Sequence, residues 1–144
     1  MAIDDRASTT ATGGAGGTDS VAAFDASLRG RDLYEAGIDE ASDRQALAKF
    51  DEAIAFDPKY AGAYAARSRS LAIIGNLYAA HGERVRLYTD ALESAKRATE
   101  LAARFAEGFS ALGFALASGQ VNMRSARARP SPNRTSWARA TPIS

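Results

Sequence analysis

The chain predicts an all-α fold made of antiparallel helix pairs, on three observations. Apolar residues recur at helical spacing from Val21 to Leu116, and no stretch alternates apolar with polar as a half-buried strand does. Gly37, Pro58 and the His81-Gly82 pair divide that periodicity into segments of helix length. The hydrophobic share, 46% of the 144 residues, is mostly alanine with few aromatics. Alanine buries little area per residue, so the core expected is one of closely approaching helices and not of large side chains.

Taken in order, residues 1–20 form a Gly/Ser/Thr-rich segment expected to be flexible. It contains Gly13-Gly14-Ala15-Gly16-Gly17. A phosphate loop would need Gly-Lys-Ser/Thr after such a run and a dinucleotide loop a strand before it, and neither is present. The first helix begins at Val21, with Phe24, Leu28, Leu33 and Tyr34 at helical spacing, and Gly37 stops it. The second opens on the capping pattern Ser42-Asp43-Arg44-Gln45, whose serine oxygen can accept from first-turn amides. It runs to Phe56, and Pro58 prevents its continuation. A second pair follows, its first helix marked by Tyr64, Leu71 and Gly75 and its return helix by Ala91, Ala95, Ala98 and Leu101. Asn76 to Asp90 is itself helical in pattern, so both helices of this pair are read as lengthened by about one to two turns, with a bend near His81-Gly82. A third first helix carries Phe109, Leu112, Gly113 and Leu116.

This recurrence resembles the tetratricopeptide repeat family, whose unit of ~34 residues pairs two helices. The first unit supplies Gly30, Leu33 and Gly37, then Ala46, Phe50, Ala53 and Pro58 in its second helix. The second supplies Tyr64, Leu71 and Gly75, then Ala91, Ala95, Ala98 and Leu101; the third begins with Phe109, Leu112, Gly113 and Leu116. Small residues at the glycine and alanine positions let helix axes approach while the large ones fill the gaps. The chain departs from the pattern where Arg67-Ser68 stands in place of a Leu-Gly pair and Ala103 in place of a closing proline. Extra residues also separate the helices of the first two units. The resemblance implies about two and a half tetratricopeptide-like repeats over residues 21–119, forming a short right-handed α-solenoid. The alternative is a generic alanine-rich bundle, against which the recurrence of the whole motif argues.

Residues 120–144 read as a basic Pro/Arg/Ser tail where the family would supply a return helix or a cap. Two readings stay open. One is a disordered C-terminus. The other is a shift of reading frame near Arg127–Arg129: read one base earlier, Ser131 and Trp137 become apolar positions and Arg134 a small one, the spacing of a return helix.

Composition and charge exclude several functions. The net charge is +1, but Arg129, Arg134 and Arg139 lie in a stretch without acids. Without them 15 basic residues face 17 acidic ones, a balance of −2 that gives no electrostatic reason to expect nucleic acid. No apolar run approaches the ~20 residues of a membrane span, and Asp4 and Asp5 precede no apolar leader core, so no membrane insertion and a cytoplasmic location are expected. The chain has no cysteine and one histidine, His81, so the usual zinc and triad arrangements cannot form. Asp51-Glu52 and Asp39-Glu40 are sequence neighbours, which point apart on a helix. No catalytic residue, metal or cofactor is expected, and the chain is not read as an enzyme.

The resemblance implies a binding function. In such arrays the first helices line a groove for an extended peptide or a partner helix. By the family pattern the groove positions are led by Arg31, Tyr34, Arg69, Ile73 and Phe114, with Ser27, Ala65, Ala72, Ser110 and Ala117 among them. The subfamily that grips a chaperone's terminal carboxylate needs lysine and asparagine at set positions, which Ser27, Ala65, Arg69 and Phe114 do not supply; Arg31 and Arg69 are instead either candidates to meet acidic groups or simply solvent-exposed groove arginines. Two functions are therefore carried forward. One is a protein–protein interaction scaffold, its partner a protein or peptide. The other is a non-catalytic piece of a larger bacterial transcriptional or cyclase-type regulator. The unpaired terminal helix also predicts self-association.

Overall fold

The computed structural model describes residues 15–104 and 106–128, with side chains through residue 120; among them are five α-helices and no strand. They are α1 (Val21–Ala36), α2 (Glu40–Phe56), α3 (Ala61–Leu77), α4 (His81–Leu101) and α5 (Ala106–Ala128). None is long and apolar enough to cross a membrane.

Local chemistry sets most helix ends. The Ser20 hydroxyl accepts from the Ala23 amide at 3.1 Å and starts α1. Gly37 ends it with φ of 51°, a left-handed conformation that favours glycine, and its amide donates to Leu33 O at 3.3 Å. The start of α2 differs from the sequence expectation. Asp39, not Ser42, is the cap: its Oδ1 accepts from both the amide and the hydroxyl of Ser42, each at 2.8 Å. Ser42 is thus the donor in the arrangement it was expected to accept in. The Ser42 amide first, and then its hydroxyl, hold the Asp39 carboxyl below its ordinary range.

The second pair is lengthened on one side only. Helix α3 has 17 residues against 16 in α1, while α4 has 21 against 17 in α2. The connection is Tyr78-Ala79-Ala80, just ahead of the expected bend. Helix α5 continues to Ala128, past residue 119, because Gln120 to Ala128 contains neither glycine nor proline. The question of a shifted frame falls on residues 129–144, which lie outside the described residues, as do residues 1–14 of the Gly/Ser/Thr-rich segment.

Each pair is antiparallel. Ala23 and Ala26 cluster with Ala53, while Gly30 meets Phe50, so rising numbers on α1 face falling numbers on α2. The same holds for Ser68 with Ala91 and Gly75 with Tyr88 in α3 and α4. Helix α2 then packs on α3, and α5 packs on both α3 and α4, whereas α1 scarcely reaches α3. Alanine supplies fourteen of the eighteen buried apolar residues, which leaves backbone approach and not side-chain bulk to hold the helices together. Phe50 and Ile74 are the largest fully buried apolar side chains.

The Arg67-Ser68 departure is absorbed by hydrogen bonds. Arg67 donates to Asp51 on α2 and to Ser94 on α4, both at 2.6 Å, and so links three helices. Ser68 is fully buried and its hydroxyl donates to Ala91 O at 2.7 Å. A polar pair at an apolar position persists here because each group has a partner.

Candidate functional site

The gap between α1 and α3 is the feature that gathers functional groups. Because α1 leans on α2 and hardly touches α3, a cleft of about 210 Å³ opens between them. Arg31, Tyr34 and Glu35 line it from α1, Ala66 and Arg69 from α3, Phe50 from α2 and Glu107 from the first turn of α5. The small Ala66 leaves the space open, and Phe50, only 2% exposed, closes its floor. Phe50 reaches that position because Gly30 has no side chain: a Cβ there would lie 2.8 Å from Phe50 Cε1.

Three of the five expected groove residues, Arg31, Tyr34 and Arg69, therefore meet in one place. Arg31 is exposed and the other two are half-buried. Ile73, half-buried on α3, and Phe114, 39% exposed on α5, do not line this cleft. Phe50, a structural position by the repeat pattern, also forms the floor of the cleft. Of the repeat-signature positions, Gly30, Ala46, Ala53, Ala91 and Ala98 are buried, Leu33, Tyr64 and Leu112 are half-buried, and Pro58, Phe109 and Gly113 are exposed.

The electrostatics of the cleft follow from its walls. Neither Arg31 nor Arg69 forms an ion pair among the described residues, and nor do Glu35 and Glu107. Burial raises the Tyr34 hydroxyl above its ordinary pKa, Arg69 pulls it back, and Asp43 pushes it further up. The phenol thus stays a neutral donor. Behind it Asp43 is buried and accepts from the Tyr78 hydroxyl at 2.9 Å, which, ahead of other effects, raises Tyr78.

The arrangement suits binding. Two guanidinium groups supply planar, charge-assisted donors, the phenol supplies a third donor, and the aromatic floor takes an apolar stem. At about 210 Å³ the cleft falls below the ~300–1,000 Å³ of small-molecule sites and matches one or two inserted side chains. Two larger hollows, about 390 and 430 Å³, lie near the α2–α3 turn. They are open surface depressions lined largely by glycines, alanines and turn residues; Lys59 and Arg104 reach the smaller one, but no aromatic side chain lines it. Among the described residues no cluster of His, Asp and Glu could hold a metal ion.

Comparison with protein-family models, with curated proteins and with solved structures returned no match to this chain.

Proposed function

We propose that this chain is a tetratricopeptide-type interaction module whose helix pairs stack as a short right-handed α-solenoid. It binds a peptide segment of a partner protein on the face formed by α1, α3 and α5. The α1–α3 cleft seats a carboxylate side chain or terminus between Arg31 and Arg69, its apolar stem on Phe50. One observation carries this reading: two arginines without ion-pair partners converge with Tyr34 from separate helices onto a space the size of a side chain. Arginines left without ion-pair partners beside an apolar floor, with Glu35 and Glu107 on the same walls, are poorly placed for stability alone, since exposed charges contribute little to it.

Selection from a random twelve-residue peptide display library tests this. Binders are expected to share an acidic residue beside an apolar one. Fluorescence anisotropy should show affinity at least about tenfold lower for Arg69→Ala and Arg31→Ala, as expected on losing a charge-assisted bond. Far-UV circular dichroism should be unchanged, because both side chains reach solvent. Selected peptides without acidic enrichment, or equal affinity for the Arg31→Ala/Arg69→Ala double variant, would overturn the assignment.

A further inference from the structure

The first helices of the three units can be compared at one position. Gly30 on α1, Ser68 on α3 and Gly113 on α5 occupy the same place in the recurring pattern. Gly30 is covered by Phe50 of α2, at 2.8 Å from where a Cβ would stand. Ser68 is covered by α4, whose Ala91 carbonyl takes its hydrogen bond. Around Gly113 no described atom lies within 4 Å of the Cβ position. The residues flanking it tell the same story. Three positions further on, Leu71 is buried while Leu116 is 47% exposed. Four positions before, Ala26 is buried while Phe109 is 53% exposed.

Helix α5 thus buries one face, Gly108, Ala111, Ala115 and Ser118, and leaves a second stripe of Phe109, half-buried Leu112, Gly113 and Leu116. Two features of that stripe point to its occupant. A large aromatic and a glycine lie one turn apart, so the stripe carries both a knob and the hole that a knob fills. When Phe109 is set against Gly113, residues 106–116 of the two helices face each other, and their one charge, Glu107, falls opposite Ala115, so a symmetric pairing sets no like charges together.

We propose that this stripe docks a second copy of the chain, α5 against α5 antiparallel about a two-fold axis. In this register Phe109 of each copy covers Gly113 of the other. A single register satisfies both contacts at once, as an isologous interface requires. Each contact repeats, between chains, what Phe50 does to Gly30 within one chain. The exposed half of Phe109 amounts to about 100 Å², and two such stripes bury well under the ~1,200 Å² of a standard stable interface. The dimer is accordingly weak and reversible.

Sedimentation velocity on the full chain, from about 5 to 500 μM, the range in which weak dimers form, tests the proposal. The wild-type chain should pass from monomer to dimer over this range. Phe109→Ala removes the knob and Gly113→Leu fills the hole, so each alone should weaken association at least about tenfold. Both residues are exposed, and circular dichroism should show each variant folded. An equimolar mixture of the two variants should recover association, because the mixed dimer pairs leucine with alanine and phenylalanine with glycine. Recovery on mixing requires a second copy. A wild-type chain that stays monomeric throughout would overturn the proposal and leave the stripe to residues 129–144 or to a different protein. Dimers that survive both single variants, or variants that do not recover on mixing, would equally refute it.

Discussion

Replacing Gly30 by alanine probes the closest approach in the first helix pair, and its effect can be worked out by comparison. The new methyl would stand 2.8 and 3.0 Å from two Phe50 ring carbons and 3.1 Å from Lys49 Cβ, so the α1–α2 pair must open or Phe50 must tilt. Overpacking of this kind costs about 1–3 kcal/mol. Against it, alanine gains about 0.8–1 kcal/mol over glycine in a helix interior. The net expectation is a destabilisation of roughly 0–2 kcal/mol, about 3–4 °C in Tm per kcal/mol at this size. Gly113→Ala shares the propensity gain but meets no described atom within 4 Å, so it should stabilise by about 1 kcal/mol. The propensity contribution cancels between the two variants, and the difference isolates the steric clash at about 1–3 kcal/mol. Urea unfolding followed at 222 nm, at low micromolar concentration, measures both. Adding Phe50→Leu should shrink the Gly30→Ala penalty, appearing as a coupling energy of about 0.5–3 kcal/mol in a double-mutant cycle. A Gly30→Ala chain as stable as Gly113→Ala, or zero coupling to position 50, would refute the packing argument.

Two further outcomes follow from protonation. The Asp39 carboxyl is held low by its two bonds from Ser42, so its contribution is complete above the ordinary carboxylate pKa of about 3.9 and is lost as pH falls through the depressed native value. Acid titration should therefore unfold Asp39→Asn less steeply than the wild-type chain between about pH 4 and 2; identical acid limbs would contradict this. Tyr34 and Tyr78 are both raised, Tyr34 chiefly by burial and Tyr78 chiefly by its bond to Asp43. Stability from these two is complete below about pH 10 and declines as pH rises from there toward the native values. Asp43→Asn should move part of the tyrosinate absorbance at 295 nm to lower pH, and an unchanged curve would show that Asp43 does not act on them.

The helix boundaries that the sequence reveals are those set by a single residue type. Gly37 and Pro58 stop their helices because no neighbour can change a left-handed turn or a missing amide. The start of α2 was ambiguous for the opposite reason: Asp39 and Ser42 both have cap chemistry, three residues apart, and only the observed direction of the bond separates acceptor from donor. The cleft was half legible. Arg31 and Tyr34 share a face of α1 by spacing, and Arg69 shares the corresponding face of α3. Phe50 as floor and Glu107 as rim depend on how far α1 stands from α3, a distance between pairs that no local spacing encodes. The one-sided lengthening of the second pair was hidden similarly, because Asn76 to Asp90 is helical in pattern throughout and the break at Tyr78-Ala79-Ala80 holds no proline or glycine.

The described segment just ahead of α1 is fastened to the helical body. Gly16 O accepts from the Gly62 amide at 2.8 Å, the Thr18 hydroxyl bonds Asp57, and Thr18 is itself buried. Gly16 manages this with φ of 80°, which disfavours any residue with a side chain. These few residues act as a latch across the α2–α3 turn, fastening the entry of the chain to the joint between its helix pairs. Among the described residues helicity starts at Val21, but contacts to the helical body start earlier, at Gly16. A protease cut between Ser20 and Val21 would detach this latch together with the Ser20 cap of α1, whereas a cut ahead of Ala15 would spare both.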